Sequence, residues 1–215
     1  MYVKSRMTAN PYTLSPDATL EDALNLMHNK SIRRIPVVKN DKLVGIVTER
    51  ALLEFSPSPA TSLSVYETSY LLSKTKISEI MTKDVITVSP DNLVEEAAVK
   101  MRVNDVGGIP VLDKGKVVGI ITETDIFDAF IELMGSRDVG SRIAIEVEDA
   151  PGILADIATV IKGYGVNITH LAVYRSESSR SSVVIRVNTV NTDAMVQSLE
   201  SNGYRIISVL KNESK

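Results

Sequence analysis

Thr122 and Asp125, a hydroxyl and a carboxylate three residues apart, follow directly on the apolar run Gly119-Ile120-Ile121. Two chemistries use that spacing. In one, the pair is a capping box whose side chains satisfy amide N–H groups at the start of a helix. In the other, the N–H groups of that helix start and the Thr122 hydroxyl hold a phosphate, while the Asp125 carboxylate accepts hydrogen bonds from ribose hydroxyls. The two are compatible. Gly45-Ile46-Val47-Thr48 repeats the run 74 residues earlier, but Ala51 stands where the later copy has Asp125. Alanine accepts no side-chain hydrogen bond, and such a bond is worth on the order of 1 kcal/mol. Unequal sites are therefore expected, the one containing Asp125 being the stronger. Arg34 either gives the weaker site a phosphate contact or is a solvated surface residue.

Little else in the chain suggests chemistry. The absence of cysteine excludes disulfides and thiolate sites, and with only His28 and His170 a histidine metal centre has little to draw on, so no metal is expected. No nucleophile adjoins a base and no paired-carboxylate site is visible, so the chain is expected not to be an enzyme. A net charge of −3, with acids and bases interspersed, offers no basic stripe for nucleic acid. The 44% hydrophobic and 24% charged content is that of an ordinary globular protein. No apolar run approaches the roughly 18 to 20 residues of a membrane span, and Met1-Tyr2-Val3-Lys4-Ser5-Arg6 lacks a signal peptide's apolar core. A cytoplasmic protein with no membrane partner is expected.

Two copies of one unit must position the Thr122 segment. Residues 3–55 set over 77–129 without a gap align Met7-Thr8 with Met81-Thr82 and Ser15-Pro16-Asp17 with Ser89-Pro90-Asp91. Ile35-Pro36-Val37 then falls on Ile109-Pro110-Val111. Each copy reads β-α-β-β-α. A short strand at Thr13-Leu14 stops where Ser15 or Asp17 caps a helix striped by Leu20, Ala23, Leu24 and Met27. A hairpin turning at residues 39–42 or 113–116 follows, and a second helix begins at the threonine. One unit buries too little apolar surface alone, so the copies are expected to pack about a pseudo-twofold axis.

The predicted layout is repeat 1 over residues 1–55, a linker with a helix over 56–76, repeat 2 over 77–134, a short linker over 135–140 and a further domain over 141–215. In the linker, residues 56–62 form a loop and 63–73 a helix packed on the pair. The last domain reads β-α-β-β-α-β, the ferredoxin-like order. The overall class is α+β or mixed α/β.

The Met-Thr starts, Ser-Pro-Asp helix openings, Ile-Pro-Val strands and the Gly-x-x-Thr-x-x-Asp ending resemble a tandem pair of CBS domains over about residues 1–134. That resemblance implies an adenosine-containing ligand between the repeats: AMP, ADP, ATP or S-adenosylmethionine. Thr122 and Asp125 would then hold phosphate and ribose, and Val85, Ile86, Thr87, Gly108, Ile109 and Pro110 would line the purine pocket, although Ile109 reads better as plain core. Thr13, Arg34, Ile35, Pro36 and Thr48 are the matching residues of the weaker site.

Asp149-Ala150-Pro151-Gly152-Ile153-Leu154 and Gly165-Val166-Asn167-Ile168 resemble an ACT domain. This implies pairing of sheets between subunits, in a homodimer or higher homo-oligomer, and an amino-acid effector held by residues 149–154 with Asn167 and Ile168. The same residues have structural readings, Asp149 as a helix cap and Asn167 as the entry to a strand. The CBS-ACT order is similar to that of proteins linked to acetoin utilisation. Together these features imply a regulatory ligand sensor acting on a target enzyme not named by the sequence. The alternative is an oligomeric scaffold with degenerate pockets.

Overall fold

The computed structural model describes residues 1–55, 64–175 and 180–213, so the loop predicted over 56–62, Leu63 and the turn residues 176–179 lie outside the described part. The chain forms two compact units, Met1–Phe127 and Asp128–Lys215.

In the first unit, β1 (Thr8–Ala9) precedes α1 (Leu20–Lys30), β2 (Arg34–Lys39), β3 (Lys42–Thr48) and α2 (Glu49–Phe55). After α3 (Val65–Lys74) and the short α4 (Ile77–Ile80), the pattern recurs as α5 (Val94–Asn104), β4 (Gly108–Asp113), β5 (Lys116–Thr122) and α6 (Glu123–Leu133). Both hairpins turn on two residues at positive φ, Asn40-Asp41 and Lys114-Gly115. That geometry matches the twist of the paired strands. α3 packs against α1, as the linker helix was expected to do.

The cap of α1 differs from expectation. Thr19, not Ser15 or Asp17, occupies the N-cap, and its hydroxyl accepts from Asp22 N–H at 3.1 Å while the Asp22 carboxylate takes the Thr19 N–H at 2.9 Å. The Thr19 N–H foremost, and the Thr19 hydroxyl donating to the same carboxylate at 2.8 Å, hold the Asp22 carboxyl below the usual carboxylate range. Ser15 Oγ instead accepts from Asp17 N–H, a local turn that leaves the helix to start later. The strand expected at Thr13-Leu14 is reduced to a single parallel bridge, Leu14 to Val37.

The leaders of the two repeats are exchanged. Thr8 and Ala9, which open the first copy, pair with Ile120 and Gly119 of the second, and Thr82 of the second bridges Ile46 of the first. Further along the same exchange, Val3 N–H donates to Asn92 C=O, while its repeat mate Ile77 donates to Ala18 C=O. Val3 and Ile77 are both fully buried. Glycine at 45 and 119 is what allows the close approach: a β-carbon on Gly119 would collide with Met7 Sδ, and one on Gly45 with Met81 Sδ. Gly119→Val should therefore cost about 1 to 3 kcal/mol by overpacking. Met7→Ala in the same chain should recover most of it, as read by urea denaturation of the single and double variants.

In the second unit, β6 (Gly140–Glu148), α7 (Ile153–Gly163), β7 (Ile168–Arg175), β8 (Arg180–Val187), α8 (Asp193–Ser201) and β9 (Arg205–Asn212) give the expected β-α-β-β-α-β order. The sheet runs β7-β8-β6-β9 and is antiparallel throughout. Alternation decides its two faces: Ile143, Ile145 and Val147 of β6 and Val183, Ile185 and Val187 of β8 turn inward onto Ile157 and Ile161 of α7 and Met195 and Leu199 of α8. Among the described residues no helix is long and apolar enough to cross a membrane.

Candidate functional site

The register of each hairpin brings residues far apart in sequence to one place. Arg34 pairs with Thr48 across the first hairpin, and Gly108 pairs with Thr122 across the second. The next residues on each side are joined too, since Glu49 N–H donates to Arg33 C=O and Glu123 N–H to Gly107 C=O. Each helix, α2 and α6, is thus started against the residue that leads into the first strand of its own hairpin.

A cleft of about 540 Å³ opens where these hairpins meet. Its first-repeat wall carries Arg33, Arg34, Ile46, Thr48, Glu49 and Arg50. Its second-repeat wall carries Thr82, Asp84, Val85 and Ile86, the end of α5 at Met101, Arg102 and Asp105, and Val106, Gly107, Gly108 and Glu123. Apolar side chains, two glycines and four guanidinium groups share its lining, three of the arginines coming from the first repeat. A flat heterocycle with an anionic end fits a lining that combines apolar groups with guanidiniums.

Residues expected at two separate sites share this cleft: Val85, Ile86 and Gly108 from the stronger set, Arg34 and Thr48 from the weaker. The others lie elsewhere. Ile35, Pro36, Ile109 and Pro110 are buried. Thr13 is exposed ahead of Leu14, and Thr87 is half-buried with its carbonyl accepting from Lys100 Nζ at 3.0 Å.

Thr122 and Asp125 are half-buried and tied to each other: Asp125 Oδ2 accepts the Thr122 N–H and the Thr122 hydroxyl, both at 2.7 Å. This is the capping chemistry. At the matching start of α2 the bond runs the other way, Ala51 N–H donating to Thr48 Oγ1 at 3.2 Å. Thr122 borders Gly108, its methyl 3.3 Å from where a β-carbon on that glycine would stand.

Sequence reasoning gave no role to Glu49 or Glu123, which the same strand register carries beside residues already singled out. Nothing in the linear pattern marks Arg102 or Asp105. The ion pairs here are open to solvent, Arg33 Nε to Glu49 Oε2 at 3.7 Å and Arg50 Nε to Glu54 Oε1 at 2.8 Å, and such pairs contribute little to stability.

In the second unit a groove of about 460 Å³ lies under the β6–α7 connection. Asp149, Ala150, Pro151, Gly152, Ile153 and Leu154 all line it, with Val173, Arg175, Ser181 and Val183 of the sheet. Gly152 is the N-cap of α7 at φ +93°, a conformation that suits glycine. The capping reading of Asp149 does not hold: no side chain caps α7, and the Asp149 carboxylate instead accepts from Arg175 Nε at 3.0 Å. Asn167 and Ile168 are not in the groove. Asn167 N–H donates to Asn188 Oδ1, and Ile168 pairs with Val187, so this stretch enters the sheet.

Comparison with known proteins fits this geometry. The CBS domain model matches residues 3–58 and 77–132, and the ACT domain model residues 141–203. The chain belongs to the CBS-domain family, as a tandem CBS pair followed by an ACT domain. A CBS domain-containing protein from Dictyostelium discoideum is 39% identical over 134 residues, 61% of this chain and 92% of the relative. An inosine-5′-monophosphate dehydrogenase from Thermoplasma acidophilum is 31% identical over 205 residues, which span 88% of this chain and 38% of the dehydrogenase.

Among solved structures, a Vibrio cholerae protein provisionally assigned to acetoin utilisation, AcuB, is 37% identical with a TM-score of 0.52, covering 63% of this chain and 93% of that one. A CBS pair in complex with 5′-methylthioadenosine and S-adenosylmethionine is 30% identical with a TM-score of 0.50, covering 60% and 95%. CBSX2 in complex with AMP is 27% identical with a TM-score of 0.51, covering 61% and 96%.

Proposed function

We propose that the chain is a regulatory ligand sensor rather than an enzyme, and that its CBS pair binds an adenine nucleotide or another adenosyl ligand in the cleft between the repeats. The observation that carries this reading is the cleft itself, about 540 Å³ lined by Val85, Ile86 and Gly108 together with Arg33, Arg34 and Thr48. The AMP and S-adenosylmethionine held by similar CBS pairs support it. The ACT domain serves dimerisation or higher assembly, with β7 an edge strand exposing Leu171 and Tyr174. Its groove takes a small amino-acid effector, for which Asp149 and Arg175 offer opposite charges beside apolar Ile153 and Val183. A cytoplasmic place and a target enzyme complete the proposal.

The competing reading is a scaffold with degenerate pockets, favoured by the use of Asp125 Oδ2 as a cap. A thermal-shift panel on the full chain separates the two. It comprises AMP, ADP, ATP, S-adenosylmethionine, NADH, cyclic dinucleotides and the common amino acids. A ligand at 100 times its Kd adds about 2.7 kcal/mol to stability, so a binder produces an upward shift of several degrees. Silence across the nucleotides would favour the scaffold.

A further inference from the structure

The sheet of the second unit has a face turned away from α7 and α8. With Ile143, Ile145, Val183 and Ile185 turned onto the helices, alternation puts Arg142 and Ala144 of β6 and Val184 and Arg186 of β8 on the opposite side. Arg142 and Arg186 are direct partners in the β6–β8 register, so their Cα atoms stand about 4.5 to 5.5 Å apart. His170 of β7 pairs with Arg186, and Leu210 of β9 with Arg142, which extends the same row across all four strands. The neighbouring row, Ala172, Val184, Ala144 and Ser208, carries no charge.

Like charges placed directly opposite one another destabilise a sheet. Arg142 and Arg186 are both half-buried, and among the described residues neither guanidinium has a hydrogen-bond or ion-pair partner. The nearest acids of this face are engaged elsewhere. Glu146 Oε1 accepts from Arg180 at 2.6 Å and from Arg205 at 3.2 Å, and Asp138 Oδ2 lies 3.7 Å from His170 Nδ1. Glu148 stands six residues from Arg142 along β6, about 20 Å of strand. The chain as a whole carries a net charge of −3, so this pair is no sample of a generally basic surface. It is also separate from the groove under the β6–α7 connection, whose sheet residues Val147 and Val183 point to the helix side.

We propose that this face docks an acidic segment of a partner protein, whose carboxylates bridge Arg142 and Arg186. Two forked donors that start about 5 Å apart present parallel N–H groups to one carboxylate or to two neighbouring ones. Tyr174 and Leu210, 50% and 59% exposed on the same face, add the aromatic and apolar contact area that protein interfaces use beside arginine. A second copy of the chain is the poorer occupant. Stacking this face on itself about a twofold axis sets one surplus of positive charge against another.

The test is fluorescence anisotropy of a labelled hexaglutamate peptide with the full chain at low ionic strength, as parent, Arg142→Thr, Arg186→Thr and Lys162→Ser. Each arginine variant should weaken the peptide at least about tenfold, the effect of losing one charged hydrogen-bond partner, and added salt should weaken it in the parent. Lys162→Ser removes one positive charge from the exposed surface of α7 and should change the affinity less than about twofold. Urea denaturation at low salt supplies a second readout, in which both arginine variants should have higher midpoints than the parent because the repulsion is gone. Lower midpoints would make the pair a structural feature and overturn the proposal, as would a peptide that ignores the parent or binds all four proteins alike. Light scattering of the same samples assigns the face to a second copy, against the proposal, if either arginine variant changes the oligomeric mass. Binding of the parent to phosphatidylglycerol vesicles without binding to the peptide assigns it to a membrane surface, which also overturns it.

Discussion

Asp125→Ala should weaken AMP binding by about 10- to 100-fold, the range expected when a carboxylate that accepts ligand hydroxyls is removed at about 1.5 to 3 kcal/mol. The same substitution should lower the stability of the folded chain by about 1 kcal/mol, because Oδ2 also holds the Thr122 N–H and hydroxyl at 2.7 Å each. The two effects separate cleanly. Position 51 shows that a helix can start at this point with alanine, its N–H bonded to the Thr48 hydroxyl at 3.2 Å, so the cap alone cannot account for a large loss of affinity. Titration calorimetry reads the first effect and urea denaturation the second. Parental affinity in the alanine variant would remove Asp125 from the binding site and leave it only as a cap.

The largest loss of stability is expected at Ile109. It is fully buried in β4, and truncation of such a side chain to alanine costs about 2 to 5 kcal/mol through lost transfer energy and the cavity left behind. Ile109→Ala should therefore lower the urea midpoint substantially. Once saturating AMP keeps the variant folded, its affinity should change little, since a β4 core residue reaches the ligand only by holding Gly108 in place. A variant of near-parental stability that has lost AMP binding would instead make Ile109 a wall of the purine pocket.

The fate of these two residues shows what the chain reveals before it folds. Ile35-Pro36-Val37 and Ile109-Pro110-Val111 were readable as hairpin strands because their apolar runs end at two-residue turns of Asn-Asp and Lys-Gly, which adopt positive φ. The β-α-β-β-α-β order of residues 141–215 was readable for the same reason, since a period of two changes to a period near four wherever a strand gives way to a helix. The cap of α1 was not. Ser15, Asp17 and Thr19 are all competent, and only the reciprocal bond from Asp22 decides among them.

The exchange of leaders was hidden more deeply. Two copies aligned without a gap are unchanged in pattern if their first nine residues trade places, because Met7 on Gly119 and Met81 on Gly45 present the same atoms that self-pairing would. Composition and period carry no label saying which sheet a strand joins. The binding cleft was half-legible on the same grounds. Arg34, Val85 and Gly108 belong to recognisable motifs, whereas Arg102 and Asp105 arrive from the far end of α5 and meet them only in space.

The exchanged leaders also set a timetable for synthesis. Thr8 is made well before its strand partner Ile120, which follows more than a hundred residues later. At ribosomal speeds of about 5 to 20 residues per second the amino-terminal segment spends many seconds without a sheet to join. The first repeat meanwhile acquires its own borrowed leader as soon as Thr82 appears beside Ile46. Assembly of the pair is thus ordered in time, the first repeat closing on Thr82 and its neighbours before β5 is made, and Thr8 and Ala9 finding their strand only afterwards. Such long-range pairing slows folding, and nascent chains ending before β5 should remain open at their amino terminus to proteases.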